Sequence, residues 1–273
     1  MMGSLLQLIR FGWELALSCI FPVAIFASLA ITQIIPLPLL ARYDWLFLFF
    51  ILVQWWMVRS GLETKDELKV ITLFHVIGLA LEIFKVHMGS WSYPEEGFFK
   101  VAGVPLYSGF MYASVASYLC QAWRRIRVEL VKWPPFGKVV PLAAAIYLNF
   151  FTHHYWVDIR WWLSGLVIIV FWQAKVAYEV GGIRYHMPLA LSFVLIGFFI
   201  WIAENIATYF GAWQYPNQTE AWSLVHLGKV SSWLLLVIVS FLIVATLKQV
   251  KGKRPIAINM TRSYRQEPKI YQK

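Results

Sequence analysis

The sequence predicts an all-α membrane protein of about eight transmembrane helices, arranged as two parallel four-helix repeats. Three observations predict it. Of 273 residues, 60% are hydrophobic and 18% aromatic, while only 14% are charged, against about 25% in a soluble domain. Uncharged runs such as Leu15–Ile35 match the roughly 20 apolar residues that cross a bilayer core. Finally, a motif recurs. Glu82 precedes Gly89-Ser90-Trp91-Ser92-Tyr93-Pro94, and Glu204 precedes Gly211-Ala212-Trp213-Gln214-Tyr215-Pro216, at an offset of 122 residues (204 − 82) that is close to half the chain.

The first helix is expected over Gly12–Ile35, where Pro36 and Pro38 stop it, and the second over Tyr43–Val58. The third, Leu68–Met88, and the fourth, Gly103–Trp123, flank the first copy of the motif. Pro134, Pro135 and Gly137 separate these from a fifth helix at Val139–Tyr155 and a sixth at Trp161–Ala177. Pro188 opens the seventh, Pro188–Phe210, and Trp222–Leu247 forms the eighth around the second copy. The units are then residues 1–133, residues 134–247 and a basic tail at 248–273. Arg10 followed by an apolar run and Ala27-Ser28-Leu29-Ala30 has the outline of a signal peptide. The run is too long for one, and its loss would break the repeat.

Charge sets the orientation. With a cytoplasmic N-terminus, the inner segments hold Arg10, Arg59, Lys65, Lys69, Arg124, Arg125, Arg127, Lys132, Lys138, Lys175, Arg184 and the tail. The outer loops hold only Arg42, Lys100 and Arg160. Both termini are therefore expected in the cytoplasm. The net charge of +10 reads as this asymmetry and as contact with membrane lipids. No nucleic-acid motif accompanies it, so no nucleic-acid partner is expected. Cys19 and Cys120 lie in apolar segments and read as structural thiols.

Glu82 and Glu204 are the leading candidates for chemistry, because an ionisable side chain inside a membrane helix is costly and faces the bundle interior. His75, Gly78, Glu82, Lys85 and Gly89 share one helix face, on which Glu82 and Lys85 can pair. The matching face of the seventh helix carries Gly197, Trp201, Glu204, Thr208 and Gly211, with Asn205 beside it and Lys229 as a partner for Glu204. The polar members, with Trp91 and Trp213 at the mouth, are expected to line a pocket between the halves. The plainer reading gives the glutamates a packing role and makes each Trp-x-Tyr-Pro an aromatic anchor at the headgroup level. His153, His154 and Asp158 match no strong metal spacing. No metal site and no cofactor motif is expected.

Those motif segments, together with Gly103-Val104-Pro105-Leu106-Tyr107-Ser108-Gly109-Phe110-Met111-Tyr112 and Ala203-Glu204-Asn205-Ile206-Ala207-Thr208, resemble domain-of-unknown-function family 817 along nearly the whole chain. The resemblance implies a bacterial inner-membrane location and brings no activity with it. Pro94-Glu95-Glu96-Gly97-Phe98-Phe99 resembles, over six residues, the Pro-x-Glu-Glu-x-x-Phe-Phe region of small membrane-bound lycopene cyclases, and carotenoid hydratases have comparable motifs. Glu95 directly follows Pro94, and Pro216-Asn217-Gln218 lacks both acids, so the spacing departs from that pattern.

Repeat symmetry puts first a transporter of a small solute, with its site between the halves. The alternative is a membrane-embedded enzyme acting on an isoprenoid or other apolar lipid, with Glu82 and Glu204 catalytic and Glu95 or Glu96 assisting. A non-catalytic membrane scaffold is the third.

Overall fold

Every segment read as helical from the sequence contains a helix in the computed structural model, which describes residues 2–252. The helices are α1 (Met2–Ser18), α2 (Ile20–Ile34), α3 (Arg42–Arg59), α4 (Lys65–His87), α5 (Ser108–Arg125), α6 (Phe136–Thr152), α7 (Arg160–Val170), α8 (Leu189–Tyr209) and α9 (Lys229–Gly252). From residue 253 onward, the basic tail lies outside the described residues.

The first expected helix is in fact two, α1 and α2, bent by 65°. Pro22 explains the break. It has no N–H for the carbonyl of Ser18, and its ring collides with that carbonyl. Downstream, α9 starts at Lys229 rather than Trp222. The segment before it is tied to α8, because Trp201 Nε1 donates to the Val225 carbonyl (3.0 Å) and Asn205 Oδ1 accepts from the Val225 N–H (2.9 Å).

The class is not purely helical. Strands β1 (Lys100–Val101) and β2 (Val104–Pro105) make a short hairpin. Strands β3 (Glu129–Val131), β4 (Lys175–Val180) and β5 (Ile183–Pro188) form an antiparallel sheet in that order. The sixth expected helix therefore stops at Val170. Gly181 and Gly182 both adopt positive φ (57° and 78°), the backbone of a two-residue type I′ hairpin.

Among the described residues, two helices, α4 and α8, are long and apolar enough to cross a membrane, and the bent α1–α2 pair makes a third if counted as one span. The shorter apolar helices are α6, α7 and the Lys229–Ala245 part of α9. Beside an apolar core, the chain buries several charged side chains and exposes many large apolar ones. Asp44, Glu63, Glu67, Glu82, Lys85 and Glu204 are buried, while Leu52, Trp161, Trp162, Ile169, Trp172 and Phe199 are exposed.

Helices α4 and α5 cross closely where their glycines meet. A Cβ at Gly109 would lie 2.7 Å from the His75 carbonyl oxygen, and one at Gly78 only 2.5 Å from the Tyr112 ring. Gly109→Ala should therefore destabilise the protein by about 1–3 kcal/mol, read as a lower melting temperature in detergent. Gly12→Ala is the control, since nothing lies within 4 Å of its added Cβ. It should leave the melting temperature unchanged or raise it.

Candidate functional site

Helices α4 and α8 end alike. Gly89 and Gly211 each take φ +66°, which a side chain would resist. Their N–H groups donate to Val86 and Thr208, and the next residues, Ser90 and Ala212, donate to Lys85 and Ala207, at 2.9 to 3.0 Å. This paired cap turns the chain back over the helix end. Ser92 and Gln214 then meet as an antiparallel bridge, exchanging two N–H···O bonds of 2.9 Å.

The returning chain delivers donors to the carboxylates. Glu82 Oε2 accepts from Trp91 Nε1 (2.6 Å) and from the Tyr93 hydroxyl (2.7 Å), and its Oε1 accepts from the Tyr112 hydroxyl (2.8 Å). Glu204 accepts from the Tyr215 hydroxyl and from Trp233 Nε1 (2.6 Å). The tyrosines of Trp-x-Tyr-Pro are thus not headgroup anchors. Both are 6% exposed, because a buried carboxylate needs hydrogen-bond donors and these are what the chain brings.

Beside this arrangement lies a cavity of about 290 Å³, with Lys85 of α4, Tyr112 of α5, Arg160 of α7, Glu204 of α8, and Lys229 and Trp233 of α9 in its lining. Lys85 does not pair with Glu82. Its ammonium points instead at the Phe150 carbonyl (3.2 Å) and His154 Nε2 (2.8 Å), with His153 Nε2 at 3.5 Å, and it sits 4.0 Å from the Phe150 ring centre. Lys229 stands over the Tyr215 and Trp91 rings, at 4.8 and 5.4 Å. Among the described residues, neither lysine has a carboxylate within 4.0 Å.

The rim is fixed by neutral and paired groups. His153 Nδ1 bonds the Asn149 carbonyl (3.0 Å), so that nitrogen carries the proton and Nε2 faces Lys85 bare. Burial and the Lys85 charge hold His154 down at about 4. Arg160 pairs with Asp158 (2.5 Å) and reaches Ser232 (3.0 Å). Burial alone would push the Asp158 carboxyl up, but bonds from Arg160 and Asn149 hold it at about 2. Among the described residues, no three His, Cys, Asp or Glu side chains come together to hold a metal ion.

The expected site residues divide. Lys85, Trp91, Glu204 and Lys229 line the cavity. Glu82 stands behind two lining residues, Trp91 and Tyr112, that bond it. His75 packs on Phe110, with ring centres 4.4 Å apart, and Asn205 pins Val225. Neither they nor Trp213 belong to the lining. Glu95 forms an ion pair with Arg42 (2.6 Å), whose guanidinium also caps the end of α8 through the carbonyls of Phe210 and Gly211. Tyr112, Trp233 and Arg160 join the site without a sequence signal for it, and Tyr215 enters as a carboxylate donor rather than a motif anchor. The motif tyrosines carried a signal, since Tyr93 and Tyr215 each follow a glutamate by eleven residues.

A family model described as "Protein of unknown function (DUF817)" matches residues 7–241. The chain is 78% identical over 263 residues to the uncharacterized protein YoaT of Bacillus subtilis (strain 168), covering 96% of this chain and 100% of that protein. Among solved structures, a cross-linked trimer of MvINS is similar at a TM-score of 0.49 and 14% identity, covering 71% of this chain and 97% of that one.

The histidine pair gives a pH dependence with a defined sign. Unfolded histidine takes up a proton near pH 6.5, whereas folded His154 stays neutral down to about 4. The charges facing it are Lys85 and Lys229, with neutral His153 beside it. The unfolded chain therefore binds more protons between these values, and stability falls as pH drops from about 6.5 toward 4. The melting temperature in detergent should fall from pH 7 to pH 5, and His154→Gln should flatten that slope. An unaltered slope would reject the assignment.

Proposed function

This chain belongs to that family, and on that footing we propose that it is a multi-pass membrane protein that binds and moves a small polar solute through the cavity between its two halves. The cavity carries the reading, because its lining draws on residues 1–133 through Lys85 and Tyr112 and on residues 134–247 through Arg160, Glu204, Lys229 and Trp233. Binding sites at the interface of parallel repeats, near the membrane midplane, are a recurrent transporter design. The repeat itself is supported by the paired helix caps, the matched Glu–Tyr bonds and the bridge between Ser92 and Gln214, which occupy equivalent places at the 122-residue offset (214 − 92).

A bacterial inner-membrane setting is supported by the apolar helices and their apolar outer faces. The distribution of Lys and Arg favours about eight crossings with both termini in the cytoplasm. The lipid-enzyme reading has less support. Glu95 is engaged by Arg42 and Glu82 by three donors, and charged groups around the cavity suit a polar solute better than an isoprenoid.

Transport is tested in proteoliposomes with one radiolabelled tracer from each chemical class: succinate, phosphate, lysine and glucose. Wild type should accumulate at least one of them above empty liposomes. Ser232→Trp, which fills the cavity from its lining, should abolish that uptake while the protein stays folded. No accumulation of any tracer, or full uptake by Ser232→Trp, would sink the reading. Topology is tested with single cysteines in a background lacking Cys19 and Cys120. A cysteine at Glu96 should react with an impermeant maleimide added to intact cells, and one at Gly182 should react only in lysed cells.

A further inference from the structure

We propose that the cavity is an oxyanion site, in which a carboxylate or phosphate group is held between the ammonium groups of Lys85 and Lys229. This rests on the reading of the cavity given above and names the class of its ligand.

The charges around the cavity are separated rather than paired. Glu82 and Glu204 are answered by phenol and indole donors, and Asp158 by Arg160 and Asn149. The carboxylates thus have their hydrogen bonds without either lysine. Lys85 is 4% exposed, and its partners are a carbonyl and two imidazoles, none of them negative. The Lys229 ammonium makes no hydrogen bond among the described residues and lies against ring faces, so its N–H donors are free for a ligand.

A buried ammonium group, Lys85, and a half-buried one, Lys229, lining one cavity cost free energy unless an anion joins them. The backbone adds to this. Helix α9 begins at the cavity, at Lys229, and a helix N-terminus favours negative charge. His153 presents a bare Nε2 to Lys85, and His154 accepts from it. Both therefore hold the ammonium in place without neutralising it. Leu235, Leu236 and Ile146 also line the cavity, which suits an anion with a short hydrocarbon part. The oxyanion can belong to a free solute or to a lipid headgroup.

The test uses the full chain in neutral detergent. Sodium succinate or sodium phosphate replaces sodium chloride at constant ionic strength while the melting temperature is followed. A parallel arm places the chain in phosphatidylcholine nanodiscs with and without phosphatidic acid. At least one of the three probes should raise the melting temperature in a saturable way. Lys229→Gln should weaken the apparent affinity by about tenfold or more, whereas Lys229→Arg should retain it. Glu204→Gln, which removes a carboxylate from the cavity lining beside Lys229, should tighten it.

A response to the soluble salts assigns a free anion, and one confined to phosphatidic acid assigns a headgroup. No saturable response from any probe in the wild type would overturn the proposal. So would equal responses in wild type and Lys229→Gln, or, should that variant not fold, weaker binding by Glu204→Gln. Failed tracer uptake with succinate still raising the melting temperature would remove transport and leave the anion site. Lysine or glucose uptake unaffected by Lys229→Gln would do the reverse.

Discussion

A carboxylate buried among apolar helices must find hydrogen-bond donors within the protein, because the surroundings offer no solvent to supply them. Glu82 and Glu204 impose this demand at two places, and much of the surrounding architecture answers it. Each helix must end within reach, so that the chain can return. Each return must carry an aromatic donor, which is the work of Tyr93 and Tyr215. Once two such returns exist side by side, their backbones pair through Ser92 and Gln214. Arg42 then joins α3 to the carbonyl end of α8 and to Glu95, while Asp44, two residues on, accepts from the N–H groups of Phe98 and Phe99 (2.9 and 2.8 Å). The loop between α4 and α5 is thus held at both its acidic and its aromatic parts.

Using neutral donors for the carboxylates has a second consequence. An ion pair would have consumed the lysines. Phenol and indole groups stabilise the anionic form by hydrogen bonding and leave the cationic side chains uncommitted. Lys85 and Lys229 are consequently placed beside neutral acceptors and π faces, which orient an ammonium without cancelling its charge. A helical bundle that tolerates these charges in its interior does so because every other buried ion nearby already has its partners.

The sequence disclosed the helices and the duplicated motif, and through the motif it disclosed Glu82 and Glu204. Those features are local, or recur at a fixed spacing, so periodicity and counting reach them. The partner of Lys85 was out of reach. His154 is 69 residues away, and the nearer Glu82, one helical turn back, is the partner that spacing suggests. What redirects Lys85 is the Glu82 carboxylate being filled by Tyr112, 30 residues on, and by the motif aromatics. The β4–β5 hairpin was legible in principle. Gly181-Gly182 stands between segments of alternating aromatic and β-branched residues, a hairpin signal, but a reading built on apolar run length absorbs the first strand into a helix. The break at Cys19 likewise has a visible cause in Pro22, which a long apolar run conceals.

The two glutamates are not equivalent, and the difference follows from single residues. At the 122-residue offset, Tyr112 corresponds to Leu234 (112 + 122), so no phenol reaches Glu204 from that place. Trp233, one residue earlier, donates instead. Glu82 is therefore closed off by three donors behind Trp91 and Tyr112, whereas Glu204 keeps two and borders the cavity. The same offset sets Tyr107 against Lys229 (107 + 122). Tyr107 is fully buried and donates to the Ala212 carbonyl, tying the first motif region to the second, while Lys229 lies against the aromatic rings of both. Closure of the carboxylate is thus complete at Glu82 and partial at Glu204, while Lys85 and Lys229 both bring charge to the cavity. A cavity bounded in this way brings the Lys85 and Lys229 ammonium groups and the Glu204 carboxylate into one lining, and so offers a ligand both positive and negative contacts.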